Sequence, residues 1–286
     1  MNTIEANAAG KFYTSDPTEL RNEVERFTRI GEGAGTDVPI GLIVPHAGYM
    51  FSGSTAGKGY SALRHRQTPE LCFVFAPSHR HFLRKPTICT ASGLASPLGI
   101  VETSKNVIQE LLKHSEVFQG SEDAFVFEHA IEVQLPFLQF LYDKSLKIIP
   151  ILFSIADLNT LRQAAEILAG WMKSSNLFII SSDFSHYTDY DFATKLDAEL
   201  KDAIVRLDTN QFINLLNAPT PAPNLKTRAC GSAAILTWMH MCNMHRNISA
   251  KSIDYTNSGD SVYSHNKDSV VGYYSILFQL QTALHA

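Results

Sequence analysis

Three stretches of the chain are apolar runs without alternation, and each runs into a histidine: "IGLIVPH" at 40–46, "LCFVFAPSH" at 71–79 and "NLFIISSDFSH" at 176–186. A strand that meets water on one face alternates polar with apolar residues, whereas a strand covered on both faces need not. The runs therefore predict central strands of a sheet held between two layers. The segments "STAGKGYSALRH" (54–65) and "LNTLRQAAEILAGWMKS" (158–174) look helical and supply the cover. Strands alternating with helices mean α/β organisation.

Other stretches extend this plan. "LKIIPILF" (146–153) adds a strand, residues 103–114 and 191–206 predict helices, and another helix starts just after Cys230 in "CGSAAILTWMHMCNMH". "ISAKSIDYTN" (248–257) and "SVVGYYSILF" (269–278) alternate better, as hairpin-like or edge strands do. In "SDPTELRNEVERF", Asp16 suits an N-cap, Pro17 the first helical position and Glu19 the reciprocal place of a capping box. Leu20, Val24 and Phe27 then form one apolar helix face. Neither the Gly-rich link "GEGAGTD" nor the Pro-rich loop "NAPTPAPN" is long enough to divide the chain. With 286 residues and 45% apolar content, a large core can be buried, and one domain over residues 1–286 is expected.

Composition narrows the partners. A net charge of -4 without a dense Lys/Arg cluster lacks the footprint of a nucleic-acid or membrane-surface binder, which leaves a small molecule or a protein. The start "MNTIEANAAGKFYTSDP" has no signal-peptide pattern, and no apolar run approaches the roughly 20 residues that span a bilayer. A soluble, cytoplasmic protein is expected. Cys72, Cys89, Cys230 and Cys242 lie far apart without a Cys-x-x-Cys pair and read as reduced thiols.

In open α/β sheets, ligands bind beyond the carboxyl ends of the strands, where loops converge on a rigid support. Three predicted strands end in His46, in His79 and in the Asp183/His186 pair. A metal-binding histidine needs a neutral ring nitrogen on a stiff support, and strand ends provide that support. A single histidine more commonly serves as a surface or hydrogen-bonded core imidazole; three at equivalent positions suggest a shared site.

The remaining candidates are graded by placement. His81 follows Pro77, which stops a central strand, and Arg80, whose charge is unfavourable beside a cation. His81 and Arg80 are therefore expected behind the ligands, against substrate, or simply in solvent. In "EHAIEVQLPFL", a helical reading puts Glu128 and Glu132 on one face with His129 on a neighbouring one, either supporting a ligand histidine or facing water. Cys230 is a soft ligand or a nucleophile if Arg228 or the helix start lowers its pKa, and otherwise an inert buried thiol.

At these residues the chain resembles the Memo family, also described as system protein B of the AmmeMemoRadiSam set. The matching segments are "AGKFYTSDP", "VPHAGYMFSGSTA", "APSHRH", "EHAIEVQLPFL", "IIPILF", "SSDFSHY" and "ACGSAAI", which run in order over nearly the whole chain. That family is similar in fold to the class III extradiol ring-cleaving dioxygenases (LigB-like): a three-layer α/β domain with a mixed central sheet and a metal cleft at strand ends. Those enzymes hold non-haem Fe(II) by two histidines and a glutamate. Carried over by position, the resemblance implies His46 and His79 as metal ligands, Cys230 in place of the carboxylate and His186 as acid/base. Many relatives carry two adjacent histidines after the Pro-Ser pair, whereas Arg80 takes the second place here.

Exchanging a carboxylate for a thiolate softens the site, so ring cleavage is not simply inherited and whether the chain is an enzyme stays open. The leading expectation is a metal-dependent oxidoreductase with a mononuclear centre, iron ahead of copper or zinc, acting on an unknown small molecule. His46, His79 and Cys230 would be its ligands and His186 its acid/base group, with Asp183 as the catalytic partner that orients His186 or a bound water and His129 or Glu132 in support. The alternatives are a non-catalytic adaptor that binds a phosphopeptide or other anion through Arg80 and Arg228, and a zinc-dependent hydrolase. The resemblance also implies a functional link to radical-SAM and AMMECR1-type proteins.

Overall fold

A computed structural model describes residues 2–29, 37–142, 145–154, 157–219, 222, 224–245, 247–264 and 266–281. Most of the Gly-rich link, 31–36, and residues 220, 221 and 223 of the Pro-rich loop lie outside the described residues.

The chain opens with β1 (Thr3–Ile4), α1 (Pro17–Thr28), β2 (Val38–Val44), α2 (Tyr49–Ser61) and β3 (Cys72–Pro77). Next come β4 (Thr87–Cys89), β5 (Gly93–Ser96), β6 (Gly99–Thr103), α3 (Lys105–Leu112) and β7 (Gln119–Ser121). The middle of the chain forms α4 (His129–Glu132), α5 (Leu135–Leu141), β8 (Lys147–Phe153), α6 (Leu158–Ala169) and β9 (Leu177–Ser181). The chain continues through β10 (His186–Thr188), α7 (Tyr190–Val205), α8 (Thr209–Asn217), α9 (Ser232–Asn243), β11 (Ile248–Asn257) and β12 (Val270–Leu280).

These strands make one mixed sheet in the order β1-β5-β6-β8-β3-β9-β2-β12-β10, with β11 beside β12 and β4 and β7 off β8. Strands β8, β3, β9 and β2 are parallel neighbours, with Phe75 between Ile151 and Ile180. Their carboxyl ends therefore lie along one edge. β11 and β12 form the hairpin-like antiparallel pair that their alternation suggested, but β12 is not an edge strand because it also pairs antiparallel with β2. The reading also missed the β5–β6 hairpin, whose "GLAS" and "GIVET" are too short and mixed to show a period.

Alternate residues of the central strands enter different cores. Phe73 and Phe75 pack with α6 and α9, while Cys72, Val74 and Ala76 face α1, α2 and α5. Burial on both faces is why the runs lack alternation.

α1 begins as expected, with Asp16 accepting from Thr18 N and Glu19 N and Pro17 in the first turn. The capping box is incomplete because the Glu19 carboxylate takes the Thr14 hydroxyl instead. α2 starts earlier than read, at Tyr49 just past His46, and packs on α1 so closely that Gly57 cannot carry a side chain. A Cβ there would stand 2.6 Å from the Phe27 carbonyl carbon.

Candidate metal centre

His46 leaves the end of β2 and is almost fully buried, at 2% exposure. Its ring orientation follows from donor counting. Gln134 Nε2 donates to Pro45 O and to Ser181 Oγ, and the Ser181 hydroxyl donates to Ala130 O at 2.6 Å. The Ser181 proton is thus committed, so the 2.9 Å contact with His46 Nδ1 requires the imidazole to donate. His46 Nε2 then carries the lone pair. Burial, followed by the neighbouring His79 and His129, lowers the His46 pKa well below its ordinary value and keeps that lone pair free of a proton.

The same logic fixes His79 at the end of β3, where the side chain is 30% exposed at the mouth. Glu128 receives His79 N at 2.6 Å and faces His79 Nδ1 at 2.9 Å. Burial would raise the Glu128 pKa, but the His79 hydrogen bonds and charge and the Ala130 N–H outweigh it and bring it to about 2. An ionised carboxylate only accepts, so His79 presents Nδ1–H to Glu128 and keeps Nε2 free.

Cys230 enters from the other layer, at the start of α9. Its Sγ lies 3.2 Å from His46 Nε2 and 3.2 Å from Asp183 N, which donates to it. Gly231 makes this approach feasible, since a Cβ there would stand 2.9 Å from Ser181 O. Cys230 is half-buried and lines the cleft. Its enclosure, followed by the Asp183 charge, pushes its pKa well up, the reverse of the lowering that Arg228 or the helix start would produce. Ligand atoms of His46, His79 and Cys230 lie within 4.8 Å of one another.

The turn carrying Asp183 and His186 is pinned from several sides. Phe184 N donates to Gly272 O, Gly272 N to Ser185 O, Ser185 N to Asp197 and His186 N to Thr227 O. Asp183 Oδ1 accepts His46 N at 2.7 Å, so this carboxylate is hydrogen-bonded to His46 and does not orient His186. His186 instead faces Phe184 O through Nδ1 at 2.7 Å; a carbonyl only accepts, which leaves His186 Nε2 as the free nitrogen. Two exposed aromatics in left-handed backbone flank this region: Phe127 (φ 65), before Glu128, and Tyr187 (φ 69), after His186.

Several expected supports stand elsewhere. "EHAIEVQLPFL" is two short helices, with Glu128 in extended backbone as the N-cap of α4, so Glu128 and Glu132 do not share a helix face. Glu132 turns away from the histidines and accepts Asn7 N, Ala8 N and the Tyr13 hydroxyl, fastening the N-terminal segment. His129 does join the site, stacked between His79 and Phe12 with ring centroids 4.7 and 4.3 Å away. Burial, then the His79 charge, brings its pKa to about 4 despite Glu128 and Asp183. Arg228 is buried and donates to Ala218 O, outside the cleft lining, whereas Arg80 and His81 line the cleft.

The cleft beside the donor set has a volume of about 660 Å³ and is reached by His79 and Cys230. Ser181 and Gln134 were missed by the sequence reading as supports, whereas Glu128 takes one of the two roles read for it, holding His79, but from an N-cap and not from a helix face. The available signal was polar residues in otherwise apolar, fully buried positions.

The description "Memo-like protein" matches residues 5–277 of this chain. The chain belongs to the Memo family. MEMO1 family proteins from Methanopyrus kandleri and Thermoplasma volcanium are 31% and 32% identical to it, covering 95% and 94% of this chain and 97% and 96% of their own. This Memo-family chain is also similar in fold to the crystal structure of an uncharacterized Escherichia coli K12 protein. That likeness has a TM-score of 0.54 at 13% identity and covers 83% of this chain and 98% of the other.

Proposed function

We propose that this Memo-family chain holds one transition-metal ion through His46 Nε2, His79 Nε2 and Cys230 Sγ and acts as a metal-dependent oxidoreductase on a small molecule. One observation carries this reading: both histidines are hydrogen-bonded at Nδ1 so that their free nitrogens face the same small space as the thiol. Two imidazoles and a thiolate suit iron, copper or zinc, with iron the favoured occupant. Bound there, such a metal supplies Lewis acidity and redox capacity beside the cleft.

The chain's own groups divide the remaining work. Ser181 and Glu128 hold the ligand rings. Cys230 gives up its proton only when a cation offsets the loss, and the Asp183 N–H then supports the thiolate. His186, which does not line the cleft itself, keeps Nε2 free to take or return a proton, and the Asp183 carboxylate, whose pKa burial raises, receives His46 N. The family's association with radical-SAM and AMMECR1-type proteins fits a substrate made or consumed in a shared pathway.

Metal analysis of protein purified without an affinity tag tests the ligand set. One ion per chain is expected, with loss in His46→Ala, His79→Ala and Cys230→Ser; unchanged content in all three overturns it. Oxygen-dependent turnover separates the oxidative reading from zinc-dependent hydrolysis, which proceeds anaerobically. The phosphopeptide adaptor reading is weaker because Arg228 is committed to Ala218 O, leaving Arg80 as the cation at the cleft.

A further inference from the structure

We infer that the cleft beside the donor set is built for a small monocarboxylate with an apolar body. Calling that molecule the substrate rests on the metal-dependent reading above; its binding does not. The cleft runs between three helices, and Leu161 of α6, Ile213 and Leu216 of α8 and Leu236 of α9 give it an apolar wall. Apolar side chains left facing a concave space of about 660 Å³ gain by contact with an apolar guest.

The lining also carries polar groups, and its one arginine is Arg80. Arg80 and His81 line the cleft together with His79 and Cys230, and among the described residues no aspartate or glutamate lines the space. Asp157, next to Leu158, turns its carboxylate back onto Asn159 N and Thr160 N. The first turn of α9 lines the same cleft through Ser232 and Ala233 and has no side-chain cap. A single guanidinium assisted by a helix start matches one negative charge. The guest therefore lies with its carboxylate toward Arg80 and its apolar body against α6, α8 and α9.

Calorimetric titration tests this, using hexanoate, octanoate, hexanol, acetate and phenyl phosphate on the protein as purified, with metal content measured in parallel. Hexanoate is expected to bind at least about tenfold more tightly than acetate or hexanol, and octanoate tighter still by about fourfold per added methylene. Arg80→Ala, a change at an exposed position, should weaken hexanoate about tenfold while leaving hexanol unchanged. Leu216→Trp should abolish hexanoate binding without loss of metal. Hexanol binding as tightly as hexanoate, acetate matching hexanoate, or phenyl phosphate exceeding both acids would each overturn the inference. Loss of the metal reading with hexanoate binding intact leaves the inference standing; metal bound normally with no preference for hexanoate removes the inference alone.

Discussion

Two side chains that never touch the proposed metal decide which nitrogen each ligand histidine offers. Ser181 receives the Nδ1 proton of His46, and Glu128 that of His79. Removing either support leaves the donor atoms in place but frees the ring to turn or change tautomer. Ser181→Ala and Glu128→Gln are each expected to weaken metal affinity about ten- to a hundredfold, measured by competition with a chromophoric chelator; Ser181→Ala also strands Gln134 Nε2 and Ala130 O and should lower the stability of the metal-free chain by about 1–3 kcal/mol. The positions of His46 and His79 were legible in sequence because a histidine at the end of an unbroken apolar run is placed by the sheet, whereas Cys230 joined the proposed set through the family resemblance. Their supports were legible only in part. Ser181 belongs to the same run as a small polar residue that any loop start tolerates, and Glu128, read as a possible support, works from an N-cap position and not from the helix face expected for it.

Among the elements, the central strands were the most legible and the segment 128–141 the least. Strands β2, β3, β8 and β9 announced themselves because both faces are buried. The helix read through Glu128 and Glu132 is interrupted at Val133 and Gln134, where Pro136 begins a second helix and Gln134 is spent on Pro45 O, Ser181 and Tyr60. A tertiary demand for that amide overrode the local period. α2, which follows His46, is positioned by its contact with α1 at Gly57. Gly57→Ala would gain about 1 kcal/mol of helix propensity. The Phe27 backbone leaves no room for the methyl group, and a net loss of about 1–3 kcal/mol is expected in denaturant unfolding. A stabilised Gly57→Ala protein would show that α1 yields.

At the scale of the whole molecule, one buried acid should shape the dependence of stability on pH. Asp197, on α7, accepts Ser185 N and the Tyr255 hydroxyl with Arg228 nearby, yet burial dominates and raises its pKa to about 7. The folded value lies above the ordinary value of 3.8, so between the two the native state holds the extra proton. Stability from this group is therefore highest below about pH 4 and falls as pH rises toward 7, by a total on the order of 4 kcal/mol. Asp197→Asn, measured with chelator present, should gain on the wild type progressively from pH 4 to 7; parallel curves would refute the assignment. The donor set spans the chain in a comparable way. His46 Nε2 and Cys230 Sγ, in contact at 3.2 Å, are 184 positions apart, and the parallel strands between them cannot pair locally. Such long-range closure is slow and comes late in folding. A nascent or misfolded chain consequently has no assembled donor pocket to offer, and the proposed ion would be captured only once the polypeptide has finished assembling around it.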